Sequence, residues 1–114
     1  MTKAKSWETI ESHYAKGVSS GRKVEPLLKV VQLISASSLS TRLHAFTSLD
    51  RLIVSIYPDI IPDSEALHIT FDHYGQRWEF KYFAKPHQEP EFVRYYPAEA
   101  VVEKFEQFIR MIRW

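Results

Sequence analysis

Residues 67–83, LHITFDHYGQRWEFKYF, read as two alternating runs folded back at Tyr74-Gly75. A two-residue turn there pairs His73 with Gln76, Asp72 with Arg77, Phe71 with Trp78 and Thr70 with Glu79. The same register sets Ile69 against Phe80, His68 against Lys81 and Leu67 against Tyr82. One face is then wholly apolar or aromatic: Leu67, Ile69, Phe71, Trp78, Phe80 and Tyr82. The opposite face carries His68, Thr70, Asp72, Arg77, Glu79 and Lys81. Cross-strand pairs of this kind contribute about 0.2–1 kcal/mol each. A slip by a single residue would put the aromatic set in water, so the pattern specifies the register. Gly75 is the residue best suited to a positive φ in the turn.

Working toward the C-terminus, Phe92–Tyr96 reads as a third strand. Pro86 and Pro90 keep the intervening segment, AKPHQEPE (84–91), out of the sheet. Pro97 then suits the first turn of a helix, where a missing N–H is harmless. Val101, Phe105, Phe108 and Ile112 recur at helical spacing, and Val102 and Ile109 widen the stripe. We expect this stripe to cover the aromatic side of the hairpin. Glu99 and Glu103 lie early and Arg110 and Arg113 late, which suits the helix dipole. Glu106 and Arg110 are spaced as a favourable i,i+4 pair. Trp114 is costly to leave in water and is expected to dock on the body or on a second subunit.

Toward the N-terminus the signals are softer. Trp7, Ile10 and Tyr14 mark a short helix over 7–16, with Ser6 as N-cap and Gly17 as its end. VSSGRK (18–23) follows as a loop, so this helix is expected to dock loosely. A second helix begins near Glu25 or Pro26. Its apolar residues Leu27, Leu28, Val30, Val31, Leu33, Ile34 and Ala36 cover much of the circumference, and SASS (35–38) ends it. Residues 39–57 fit either a helix or strands. The β-branched run RLIVSIY (51–57) favours a strand, with another over 42–47 and a turn through Ser48–Asp50. Pro58 and Pro62 bracket an exposed acidic loop, in which Ile60 and Ile61 can tuck against the body.

These elements predict an α+β fold: an antiparallel sheet of three to five strands, helices packed on one face, and a long C-terminal helix. The chain of 114 residues is expected to form a single domain, with residues 1–23 loosely attached. Hydrophobic residues make up 45% and charged residues 25%, as in ordinary globular chains. The 7 Phe, 6 Tyr and 3 Trp are more than one core needs, which points to an aromatic surface patch or a homodimer interface.

Net charge is +1, so bulk electrostatics give no reason to expect a nucleic-acid partner. The distribution is uneven, with +4 over residues 1–57 and −3 over residues 58–114. Lys3, Lys5, Lys16, Arg22, Lys23 and Lys29 can form a basic edge. The aromatic face, however, is expected to lie under the C-terminal helix, and Asp72 and Glu79 on the polar face repel phosphate. Cysteine is absent, which excludes disulfides, thiolate catalysis and zinc–thiolate sites. No apolar run approaches the ~20 residues of a membrane span. Nor does an apolar stretch follow Lys3 and Lys5 as in a signal peptide. A cytoplasmic protein is expected.

No residue set carries recognisable catalytic chemistry. His13, His44, His68, His73 and His87 fall in neither HExxH nor HxH spacing. His68 and Asp72 share a strand face but lie about 13 Å apart by strand rise, too far for one metal ion. Ser19-Ser20-Gly21-Arg22-Lys23 lacks the glycine spacing and preceding strand of a phosphate loop. No serine sits in a nucleophile elbow. No catalytic residue, metal ligand or cofactor is expected.

What remains is contact with protein. We expect a small non-catalytic protein acting through a protein partner or self-association, as an inhibitor, immunity-type protein or accessory subunit. Candidate surfaces are the polar sheet face and an aromatic patch near Tyr95, Tyr96 and Trp114. The alternative is a ligand-binding or enzymatic domain with a pocket between subunits, built from Tyr82, Arg94 and Tyr96. Arg94 shares its strand face with Phe92 and Tyr96, where a guanidinium is either a satisfied edge residue or an anion anchor.

Overall fold

The computed structural model describes residues 2–21, 25–48, 51–57, 59–60, 65–72, 74–85 and 89–114. Its strands are β1 (Thr2–Lys3), β2 (His44–Ser48), β3 (Arg51–Ser55), β4 (Asp59–Ile60), β5 (Ala66–Asp72), β6 (Arg77–Phe83) and β7 (Phe92–Pro97). The helices are α1 (Trp7–Ser19), α2 (Glu25–Ser35) and α3 (Val101–Met111). The fold is α+β, as the sequence pattern predicts.

The principal sheet has 5 strands in the order β2-β3-β5-β6-β7, every neighbouring pair antiparallel. The hairpin register matches expectation from Leu67↔Tyr82 to Asp72↔Arg77 and extends to Ala66↔Phe83. The expected His73–Gln76 pair lies outside the described residues. The turn itself differs. The positive φ falls on Gln76, at 51°, and not on Gly75. Asp72 explains this, because its Oδ1 accepts from the N–H groups of both Tyr74 and Gly75, at 3.1 Å each. A short polar side chain organises the turn in place of glycine's backbone freedom. Gly75 instead leaves room for the Asp72–Arg77 pair, whose side chains would have to shift around a Cβ. A Cβ there would lie 2.7 Å from Asp72 Oδ2 and 3.0 Å from Arg77 Nε.

The ambiguous middle resolves into a 3-10 turn, Ser38–Thr41, followed by β2 and β3. Phe46↔Ile53 and Ala45↔Val54 are among their pairs. Residues 49–50 of the connecting turn lie outside the described residues. The two-residue strands β1 and β4 pair with each other, with Thr2 opposite Ile60. Neither was legible, since two residues carry no periodicity. Most of the remaining acidic loop, residues 58 and 61–64, lies outside the described residues.

The helices depart from expectation at their ends. Ser6 caps α1 as predicted, its hydroxyl accepting from the Thr9 N–H. Gly17 does not stop the helix but is buried within it, and the chain leaves through Gly21 at φ 85°. Trp7 Nε1 donates to the Leu43 carbonyl at 3.2 Å, tying α1 to the segment before β2. Pro97 ends β7 and precedes a 3-10 turn, Ala98–Ala100, so α3 begins only at Val101. Val102, expected in the apolar stripe, is 40% exposed. Along α3, Gln107 Nε2 donates to Glu103 Oε1.

One continuous core joins all three helices to one set of alternating strand residues. Ile10 and Tyr14 of α1, Val31 and Ile34 of α2, and Phe105 and Phe108 of α3 are buried with Leu52, Val54, Leu67, Ile69, Trp78 and Phe80. Full burial of such a side chain stabilises by roughly 1.5–3 kcal/mol over exposure. On the other sheet face Phe46, Ile53 and Ala66 form a small cluster with Ala4 packed on it.

Candidate functional site

The five candidate contact residues fall into two groups. Tyr82 and Trp114 belong to an aromatic cluster with Phe92 and Phe108. The Tyr82 ring lies 5.4 Å from Phe108 and 6.2 Å from Trp114, both edge-on. Trp114 therefore docks on its own body, over Phe108 at 5.8 Å. Tyr82 is buried, and its hydroxyl donates to Glu65 Oε2 at 3.0 Å. Burial, then the Glu65 contact, pushes its pKa up to about 12.

Arg94, Tyr95 and Tyr96 lie together on β7, at the edge of the sheet. Their side chains alternate between faces, so they do not converge on one pocket. Arg94 lies 5.2 Å from the Phe92 ring, and its Nη1 donates to the Val93 carbonyl at 3.1 Å. Tyr96 packs edge-on against Phe80 at 5.1 Å. It also borders a hollow of about 120 Å³ lined by Lys104, Gln107, Phe108 and Met111, and Arg94 does not reach that hollow.

Tyr95 is on the polar face and 48% exposed. Its hydroxyl donates to Glu79 Oε2 at 3.1 Å, and the Arg77 guanidinium stacks over the ring at 4.0 Å. The Glu79 contact holds its pKa above the usual phenol value. Arg77 also pairs with Asp72 at 3.1 Å, and Lys81 with Glu79 at 3.6 Å. Hydrogen bonds from Gly75 and Arg77 hold the Asp72 carboxyl below its ordinary pKa. The charged face thus carries matched pairs that fix Tyr95 in place.

His68, expected on the solvated side of this face, is instead 4% exposed and lies 4.6 Å from the Phe83 ring. Arg51 Nη1 lies 3.2 Å from His68 Nδ1. A guanidinium only donates, so Nδ1 is the acceptor. Alternation alone missed this burial, because it assigns a face and not what packs on that face, here Phe83 of β6 and Arg51 of β3. Among the described residues no group of three His, Asp or Glu can hold a metal ion. A wide, open depression of about 470 Å³ borders α1, lined by Lys5, Glu8, Thr9, Ile10, Ser12, His13, Lys16 and Thr47. No helix among the described residues is long and apolar enough to cross a membrane.

The two sheet edges are finished differently. On β2, the Ala45 carbonyl accepts from the Lys5 N–H at 2.9 Å, so the N-terminal segment bridges that edge. Beyond β7 no strand pairs among the described residues. A bulge fixes which groups of β7 look outward. The Glu91 N–H donates to the Tyr82 carbonyl at 2.7 Å, while Phe92 is the residue paired with Tyr82. Tyr82's backbone groups therefore point toward β7, and alternation makes Phe92, Arg94 and Tyr96 the residues that bond inward. Val93, Tyr95 and Pro97 present their backbone groups to the open side. Sequence reasoning found this strand and its aromatic residues but had no signal for the open edge.

Comparison with protein-family models, curated proteins and solved structures finds no match to this chain.

Proposed function

We propose that this protein acts without catalysis, by contact with another protein, and that β7 with its flanking side chains is the contact surface. The open edge of β7 carries this reading. The outward N–H groups of Val93 and Tyr95 and the Tyr95 carbonyl offer main-chain hydrogen bonds to an added strand. Tyr95 supplies a half-exposed aromatic anchor held rigid by Glu79 and Arg77. Met111, 64% exposed, lies beside Tyr96 on the opposite face. Rigid aromatic and methionine side chains are the types enriched at protein interfaces. Inhibitor, immunity-type and accessory-subunit roles all belong to this class, and a cysteine-free chain suits a reducing compartment such as the cytoplasm.

Photo-crosslinking tests the reading directly. Benzoylphenylalanine is placed at Tyr95 and, as a control, at Glu11 of α1, in cells of the source organism. A discrete protein adduct at Tyr95 and none at Glu11 is expected. Equal adducts at both positions, or none at either, would sink it.

A further inference from the structure

We infer that the partner on this edge is a second copy of the chain, with β7 pairing antiparallel to β7 across a two-fold axis through Tyr95. This rests on the proposed role of β7 as a contact surface and names its occupant.

Register selects this axis. Antiparallel pairing of identical strands in one sheet keeps each face continuous, so residues opposite each other must share a face. Centring the axis on Arg94 sets two guanidinium groups directly against each other, which like charges disfavour. A centre on Val93 puts the outward groups of Tyr95 opposite Glu91, whose N–H is already given to Tyr82. With the centre on Tyr96, Tyr95 faces Pro97, which has no N–H to return.

A centre on Tyr95 has none of these faults. Each Tyr95 N–H meets the other copy's Tyr95 carbonyl, and each Val93 N–H meets the other's Pro97 carbonyl. The one acceptor without a main-chain donor in this register is the Val93 carbonyl, because it faces Pro97. That carbonyl already receives Arg94 Nη1 at 3.1 Å. Arg94 thus supplies the donor that proline lacks.

Side chains agree with the same register. Arg94 falls opposite Tyr96 of the other copy, a cation–π pairing repeated on both sides of the axis. On the polar face the two Tyr95 rings adjoin, each stiffened by its own Arg77. Together the copies make one continuous sheet. The hollow at Tyr96, Lys104, Phe108 and Met111 lies beside the seam on each copy.

The test uses the absence of native cysteine, which makes any introduced thiol unique. Residues paired across the axis have Cα atoms about 5.5 Å apart, within disulfide reach. Under mild oxidation Tyr95→Cys should crosslink to a dimer. Val93→Cys, whose copies lie about 13 Å apart by strand rise, should not. Sedimentation equilibrium of the unaltered full chain should show a reversible dimer. Tyr95→Pro should weaken that dimer about tenfold or more, by removing central hydrogen bonds, while its circular dichroism, and its melting at concentrations where both chains are monomeric, stay those of the wild type. A chain that is monomeric at all concentrations overturns the inference, as does a dimer that crosslinks equally well from Val93→Cys. A monomer that still forms an adduct with another protein through Tyr95 refutes self-pairing and leaves the contact role of β7 standing. A monomer with no such adduct refutes both.

Discussion

The two edges of the sheet solve one physical problem in opposite ways. A terminal strand leaves a row of N–H and carbonyl groups without partners. At β2 the chain takes up part of that row itself, the Lys5 N–H bonding the Ala45 carbonyl at 2.9 Å. At β7 the row stays open among the described residues, flanked by Tyr95, Tyr96 and Arg94. The covered edge is a matter of stability, and the open one is where a partner can add. Aromatic side chains alone do not separate the two, since Phe46 on β2 is buried and Tyr95 on β7 is not.

The largest expected effect removes the support common to both edges. Trp78, 1% exposed, anchors β6 under the core. Trp78→Ala should cost about 3–5 kcal/mol, read as a lower urea midpoint, because the surrounding residues cannot close the cavity. Both edges should then lose amide protection together.

A proline at each edge separates them. Lys5→Pro removes the N–H that satisfies the Ala45 carbonyl. A loss of about 1 kcal/mol is expected, with faster exchange along β2 first. Tyr95→Pro removes an outward N–H that meets no strand among the described residues, so the urea midpoint measured on monomer should move less than for Lys5→Pro. Comparable losses from both substitutions would erase the distinction between the edges.

The pH dependence is a smaller effect, next to the open edge. Tyr82 titrates near 10 when unfolded and at about 12 when folded. Between those values the unfolded chain has lost a proton that the folded chain keeps, so stability is full below pH about 10 and falls as pH rises toward about 12. Tyr82→Phe should remove that component of the alkaline slope in urea titrations. Smallest is the coupling that steadies Tyr95. In Glu79→Gln the phenol of Tyr95 should ionise at lower pH than in wild type, followed by ultraviolet absorbance. An unchanged midpoint would mean that the Glu79 contact does not hold the ring.

How much of this was legible follows from the range of each interaction. The β5–β6 register could be read residue by residue because one face is wholly apolar and the side-chain period is two. The turn could not, because the positive φ expected at Gly75 falls on Gln76, in a loop organised by the Asp72 carboxylate. The end of α1 was misplaced for a related reason. Gly17 lowers helix propensity, but burial beneath neighbouring elements outweighs a preference of about 1 kcal/mol. Of the candidate contact residues, Tyr82 and Trp114 proved to be partners of each other. Arg94, Tyr95 and Tyr96 could be placed on a strand, yet whether another strand lay beyond them depended on the order of the whole sheet.

That order has a kinetic consequence. Each strand of the principal sheet pairs with the next one along the chain, so no pairing must wait for a distant segment to arrive. Mostly local contacts lower the loop-closure entropy met before the transition state, and sheets joined this way should fold faster than sheets of equal size with crossovers. The bridge from Lys5 to Ala45 and the pairing of Thr2 with Ile60 span far longer loops. They should form late, so Lys5→Pro should speed unfolding and leave the refolding rate nearly unchanged.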